Sequence, residues 1–172
     1  MSTANSSADF QTLVAAHQAI VIRVCASYCS DREDREDLAQ EILVQLWRSF
    51  PRFDRTQNFA TWMYRVAINV ALSHVRQQYR QPRRHSGGEE QLLQLSDERQ
   101  HESVEMQMLR AFIERLDGLN RALILLYLDG YQQKEIAEVL GITETNVATK
   151  INRLKERMKS ELNDTNEGSK HE

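Results

Sequence analysis

Between Gln132 and Met158 the chain reads QQKEIAEVLGITETNVATKINRLKERM, and the spacing of a few small and apolar residues there leaves little choice of local fold. Ile136, Ala137 and Leu140 make the inner face of one helix. Four residues after Ala137 stands Gly141, where a tight turn needs a residue at ease with positive φ. Ile142 plugs the corner, Thr143 caps the next helix, and Val147, Ile151 and Leu154 face back. Ala137 has to be small because the two helices cross closely at that point. This is the pattern of a helix-turn-helix. In that motif the second helix enters the major groove with its N-terminal residues at base edges. Thr145, Asn146, Thr149, Lys150 and Arg153 are expected outward. Lys150 and Arg153 suit phosphate or guanine, Asn146 suits adenine, and Lys155, Arg157 and Lys159 suit the backbone. Glu144 favours the positive end of its helix or accepts from a cytosine amino group. The competing reading is a plain helical hairpin with a solvated basic tail.

Upstream, the spacing is helical as well. With 172 residues the chain can hold one ordinary domain or two small ones, and two Pro and six Gly among 27% charged residues favour helices over sheets. A first helix is expected from about Phe10 to Tyr28, with Leu13, Ile20 and Val24 inward. Ser30 and Glu33 make a capping box for a second, which buries Leu38, Ile42, Leu46, Trp47 and Phe50 and stops at Pro51. After a polar loop, residues 52–58, Asn58 caps a third helix reaching about Tyr79, with Phe59, Trp62, Met63, Val66, Val70 and Ala71 on one face. Turn formers and a change of charge sign after Gln81 mark a linker, which includes a short apolar patch at Leu92, Leu93 and Leu95. Periodicity returns at Val104, Met108, Leu109, Phe112, Ile113 and Leu116 and lasts to Leu162. The expectation is an all-α chain: two small helical domains, 10–80 and 104–162, joined by a flexible linker, 81–103, with the helix-turn-helix in the second and a frayed, disordered tail, 163–172.

No apolar run approaches the roughly 20 residues of a membrane span, and Met1–Asp9 lacks the pattern of a signal peptide. A cytoplasmic protein without membrane insertion is expected. Cys25 and Cys29 cannot form a disulfide framework; one turn apart and near His17, they could be a metal or redox pair, but no fourth ligand is evident and core packing is the better expectation.

The net charge of −3 speaks against a nucleic-acid partner until its distribution is considered. Residues 45–84 carry eight Arg against Asp54 alone, a balance of +7; residues 31–41 stand at −4 and residues 85–118 at −5. Phosphates respond to the field within about 10 Å. Charge blocks alone can be solvated helix faces. Here six of the twelve aromatics, both Trp included, fall between Trp47 and Tyr64, interleaved with Arg48, Arg52, Arg55 and Arg65. Rings stack on unpaired bases and guanidinium groups hold the strand's phosphates. Trp47 and Phe50 match the buried stripe of the second helix, and Trp62 is expected inside with them. Tyr64, Arg65, Ile68, Asn69 and Arg76 lie on other faces and are candidates for contact. The acidic stretch around Leu38, with Asp34, Asp37, Gln40 and Glu41, has no His near it in sequence. It reads as a solvated face or as a dock for a basic protein surface, with no metal site.

Together these segments resemble the extracytoplasmic-function group of bacterial sigma factors, over roughly residues 10–80 and 104–162. Asp37-Leu38-Ala39-Gln40-Glu41 followed by Leu46-Trp47-Arg48 is similar to the family's DLxQE…LW segment. The resemblance implies that Asp34, Asp37, Leu38, Gln40 and Glu41 bind the clamp helices of core RNA polymerase. Phe59 to Asn69 resembles the family's F-x-x-W-L-Y-R-I-A-x-N run, which melts the minus-ten element and captures a flipped base. That points to Phe53, Arg55, Asn58, Phe59, Tyr64, Arg65, Asn69 and Arg76. Tyr127 to Arg153 resembles the family's helix-turn-helix for the minus-thirty-five element, implying Thr145, Asn146, Ala148, Thr149, Lys150, Asn152, Arg153 and Arg157. Here Ala148 replaces a usual basic residue, Thr149 a usual Ser, Lys150 a usual Arg and Asn146 a usual Thr, so promoter sequence and affinity should differ.

The resemblance implies an alternative sigma factor: core polymerase and promoter DNA as partners, an anti-sigma factor as a further one, and no catalysis, cofactor, metal or small-molecule substrate. The alternative is a helix-turn-helix regulator that binds duplex DNA without polymerase. An enzyme is a distant third, because there is no Gly-rich phosphate loop, His–carboxylate constellation or nucleophile elbow.

Overall fold

The first helix breaks where no proline or glycine interrupts it. In the computed structural model, which describes residues 3–80 and 103–168, α1 (Thr3–Ala16) and α2 (Gln18–Tyr28) meet at about 60°. At His17 the backbone changes to three-residue spacing: its amide donates to the Val14 carbonyl and its own carbonyl accepts from Ile20. The single helix expected from Phe10 to Tyr28 is therefore two. The bend lets Phe10 lie edge-on against Trp47 and Phe50, with ring centroids 5.1 Å apart in both cases.

Helix α3 (Arg32–Ser49) starts one residue later than the expected box. The Asp31 carboxylate, not Ser30, accepts from the Asp34 amide at 3.1 Å. A charged cap also suits the helix dipole. The Ser30 carbonyl, with that of Cys29, accepts from the Arg35 guanidinium, so this stretch closes α2 instead of opening α3. Pro51 ends α3 as expected, in a short 3₁₀ turn, Phe50–Arg52. Asn58 then caps α4 (Phe59–Arg80) by accepting from the Thr61 amide. Helix α4 packs on both α2 and α3, which widens its buried arc. Met63 and Ala71 are inside as expected, joined by Tyr64, Ala67 and Ile68, while Trp62, Val66 and Val70 are half-buried. Leu38, Ile42 and Leu46 of α3 and Val24 of α2 complete this core.

The second set comprises α5 (Val104–Glu114), α6 (Gly118–Leu128), α7 (Gln133–Leu140) and α8 (Glu144–Gly168). Each begins with a local stop for orphaned amides: Ser103 for α5, Asp117 for α6, Glu135 reaching back to the Gln132 amide before α7, and Thr143 for α8. Helix α6 is apolar nearly all round and buries Ala122 to Leu126, because α5, α7 and α8 all pack on it. The chain divides into two compact units, Met1–Arg84 and His85–Glu172. Most of the expected linker, residues 81–102, and residues 169–172 lie outside the described residues. The tail expected to fray from residue 163 continues α8 as helix to Gly168. No strand occurs among the described residues.

Candidate nucleic-acid interfaces

In the second unit, Gly141 sits at φ 68°, ψ 32°, the left-handed conformation that ends α7. The Ile142 amide closes the turn onto the Ala137 carbonyl. Val147, Ile151 and Leu154 are buried, as are Ile136 and Ala137; Val139 joins them and Leu140 is half-buried. The opposite side of α8 exposes Thr145, Asn146, Thr149, Asn152 and Arg153. Ala148 and Lys150 are half-buried.

The cations of α8 differ in how far the chain itself answers them. Lys150 lies close enough to Asp117 to act on its carboxyl. Burial pushes that carboxyl up, but hydrogen bonds from Asn120 and Leu119 and the Lys150 charge outweigh it and hold it below the usual range. Lys155 sits 4.5 Å over the Tyr127 ring, and Lys159 pairs with Glu156 at 3.3 Å. Arg157, expected along the DNA backbone, pairs with Glu161 at 3.1 Å and lies over the Phe112 ring. Glu161 also takes Arg115. Arg153 is exposed, with no ion pair or ring contact among the described residues.

In the first unit α3 carries an acidic edge. Gln40 and Glu41 are exposed and Asp34 and Asp37 half-buried, but Leu38 is fully buried and has no surface to offer a partner. It supports the face from below. Beside the acids stand Leu43, Val44 and Trp47, 39%, 48% and 49% exposed. Leu46 and Trp47 were both expected in the core; Leu46 is buried there, whereas Trp47 is half exposed and keeps one edge on Phe10. A His does reach the acids, across the fold: His74 of α4 is buried, with Nδ1 3.2 Å from Glu41 Oε2.

The loop before α4 is organised by its only acid. Asp54 accepts from the amide and hydroxyl of Thr56, and these bonds hold its exposed carboxyl below the usual range. Phe53, half-buried, packs among Phe50, Phe59 and Trp62, its centroid 4.9 Å from that of Trp62. Phe59 is buried, and Tyr64 and Ile68 are too, so none of the three can stack on a base at the surface. Their rings and side chains fill the wedge that α4 makes with α2 and α3. Exposed here are Arg55, Asn58, Asn69 and Arg76, with Arg65 half-buried; Arg55 pairs with Asp9 of α1 at 2.9 Å. Cys25 and Cys29 are buried, and burial pushes their thiols up to about 11 and about 12. His17 turns to the Phe59 ring. Among the described residues no three His, Cys, Asp or Glu side chains gather to hold a metal ion.

A helix-turn-helix in one unit and a basic, aromatic-cored loop and helix in the other define a transcription factor class that the comparisons resolve. Residues 13–81 match the family Sigma-70 region 2, and residues 106–158 match Sigma-70, region 4. The chain is 27% identical to the ECF RNA polymerase sigma-E factor of Haemophilus influenzae, covering 89% of this chain and 87% of that one. Among solved structures it is similar to the sigma factor RpoE in complex with the anti-sigma factor NepR from Bartonella quintana, at 20% identity, covering 90% and 97% of the two chains with a TM-score of 0.70. It is also similar to CnrH in complex with the cytosolic domain of CnrY, at 24% identity, covering 90% and 88%, with a TM-score of 0.66. The chain belongs to the sigma-70 family of RNA polymerase sigma factors, in its extracytoplasmic-function (ECF) group. It is an alternative sigma factor, directing core polymerase to promoter DNA at transcription initiation. Among the described residues no single helix is long and apolar enough to cross a membrane.

Proposed function

We propose a division of labour along the chain. Residues 10–80 bind polymerase and open the promoter, residues 104–162 read the minus-thirty-five element, and residues 81–103 link them. The observation that carries this assignment is the pairing of exposures: acids flanked by bare Leu43, Val44 and Trp47 on α3, and on α8 amides, hydroxyls and an exposed Arg153 with no ion pair among the described residues. The first suits a protein partner with basic and apolar groups. The second suits base edges. On α3 the contacts are Asp34, Asp37, Gln40 and Glu41, with Trp47 added. Around α4 they are Arg55, Asn58, Arg65, Asn69 and Arg76, with Phe53 at the rim of its aromatic cluster. On α8 they are Thr145, Asn146, Thr149, Asn152 and Arg153, Lys150 and Arg157 lending charge and Ala148 leaving room.

Polymerase supplies the chemistry and the chain acts in the cytoplasm with no cofactor of its own. An anti-sigma factor regulates it in this reading, supported by the similar structures of RpoE in complex with the anti-sigma factor NepR and of CnrH, an RNA polymerase sigma factor, in complex with the cytosolic domain of CnrY. The test is transcription in vitro with purified core polymerase on a genomic fragment library. Defined start sites should appear only when the chain is added. Folded protein that supports no initiation would end the assignment. Within it, Asn69→Ala should slow strand opening while leaving closed-complex affinity within about twofold, since a single exposed amide contributes little to binding paired DNA.

A further inference from the structure

We infer that His74 is a positioning residue for polymerase binding, which pre-sets the Glu41 carboxylate on the α3 face from its seat in α4. The inference rests on the proposed role of that face. His74 is buried, and both ring nitrogens are engaged: Nε2 lies 3.2 Å from the Gln78 amide nitrogen and Nδ1 lies 3.2 Å from Glu41 Oε2. An amide nitrogen can only donate, so Nε2 accepts; the ring proton then sits on Nδ1 and is donated to Glu41. Gln78 thus selects the tautomer that serves the carboxylate. The arrangement is asymmetric in exposure, the His74 side chain being 7% exposed and that of Glu41 50%. One end is fixed in the packing and the other looks outward, over a groove lined by Gln45, Ser49, Asn69 and Ser73. No described residue takes the second carboxylate oxygen, Oε1.

A glutamate on an exposed helix face turns freely among rotamers, and a partner must immobilise it on binding. Held by His74, Glu41 has lost that freedom beforehand, with one oxygen occupied and the other presented. The same bond ties α3, which carries the acids, to α4, which carries Asn69 and Arg76. Burial obliges both ring nitrogens to find partners; what couples the ring to the α3 face is that the acceptor chosen is a half-exposed carboxylate.

The experiment measures equilibrium binding of the full chain to core polymerase, with folding followed by circular dichroism. His74→Phe, which keeps a ring but no donor, should weaken binding about threefold to tenfold, the range of one lost orienting hydrogen bond. His74→Asn, whose side-chain amide can donate from near the Nδ1 position, should recover most of it. In a Glu41→Gln background, itself weakened, His74→Phe should add little. If Glu41→Gln binds poorly but folded His74→Phe binds like the parent, the positioning role is overturned while the α3 face stands. If Glu41→Gln also binds like the parent, the reading of Glu41 on that face falls, and the role of His74 falls with it. Nitrogen-15 NMR of the imidazoles in the unaltered chain needs no folding variant, the His74 signals being those missing from His74→Asn. A proton on Nδ1 is expected, and one on Nε2 alone would overturn the inference.

Discussion

Helices α4 and α8 begin alike and end differently. Each opens with a polar cap, Asn58 or Thr143, and each buries an apolar stripe. Helix α8 packs one side on its unit and exposes the other, so residues at one helical spacing are all outward together. Helix α4 is wedged between α2 and α3, and the aromatics of its first two turns are taken up by the core: Phe59 and Tyr64 inside, Trp62 half inside. What it offers are amides and guanidinium groups at its margins. The difference teaches that an aromatic run beside arginines can serve chiefly as the core beneath a basic loop, with Phe53 left at its rim.

The strongest way to break the comparison is to remove a core residue from each unit. Leu38→Ala and Leu123→Ala, both at fully buried positions, should each cost about 2–5 kcal/mol. Native-state hydrogen exchange should show protection lost in the mutated unit and retained in the other; equal loss in both would deny that they are separate bodies. Next in size is the ranking within α8. Arg153→Ala should reduce holoenzyme binding to an upstream duplex about tenfold or more, the cost of a base-edge or phosphate contact. Lys150→Ala should reduce it less, because Asp117 already answers that charge. A larger loss for Lys150 would reverse the order inferred from exposure.

Asp117 sharpens the comparison by pH. Its carboxyl is held below the usual range in the folded chain, so the stability it contributes is present above the unfolded value and is lost as pH falls through the folded one. Asp117→Ala should cost about 1 kcal/mol at neutral pH, the worth of a cap. Thermal melts should show that gap closing in acid; a constant gap would mean that the carboxylate charge plays no part. The smallest effect concerns Arg55. Its pair with Asp9 is exposed on both sides, and such pairs contribute about 0–1 kcal/mol. Asp9→Asn should therefore tighten binding to single-stranded DNA only a few fold, with a steeper salt dependence. A large change would show that α1 blocks the loop outright.

Much of the candidate site could be read from local chemistry. The turn at Gly141, the caps Asn58 and Thr143 and the stop at Pro51 depend on residues within four positions of each other, and their backbone preferences act before any packing. The face of α8 follows from those, since a helix with one apolar stripe has its other side in water. Trp47 was misplaced because a stripe read at three- or four-residue spacing does not distinguish a position from the next one along. The break at His17 carries no local signal either; it exists because Phe10 gains burial against Trp47 and Phe50 by folding over.

Sequence by itself determined the helix-turn-helix and the all-helical class, and marked the two segments proposed to meet nucleic acid, because each rests on short-range backbone terms and on helical periodicity. Only tertiary structure decided which aromatics are spent inside, which cations are already paired, and that His74 meets Glu41 across thirty-three positions of chain. Those outcomes depend on which helix faces are covered by others, and coverage is a property of several helices in contact that no single stretch of residues encodes.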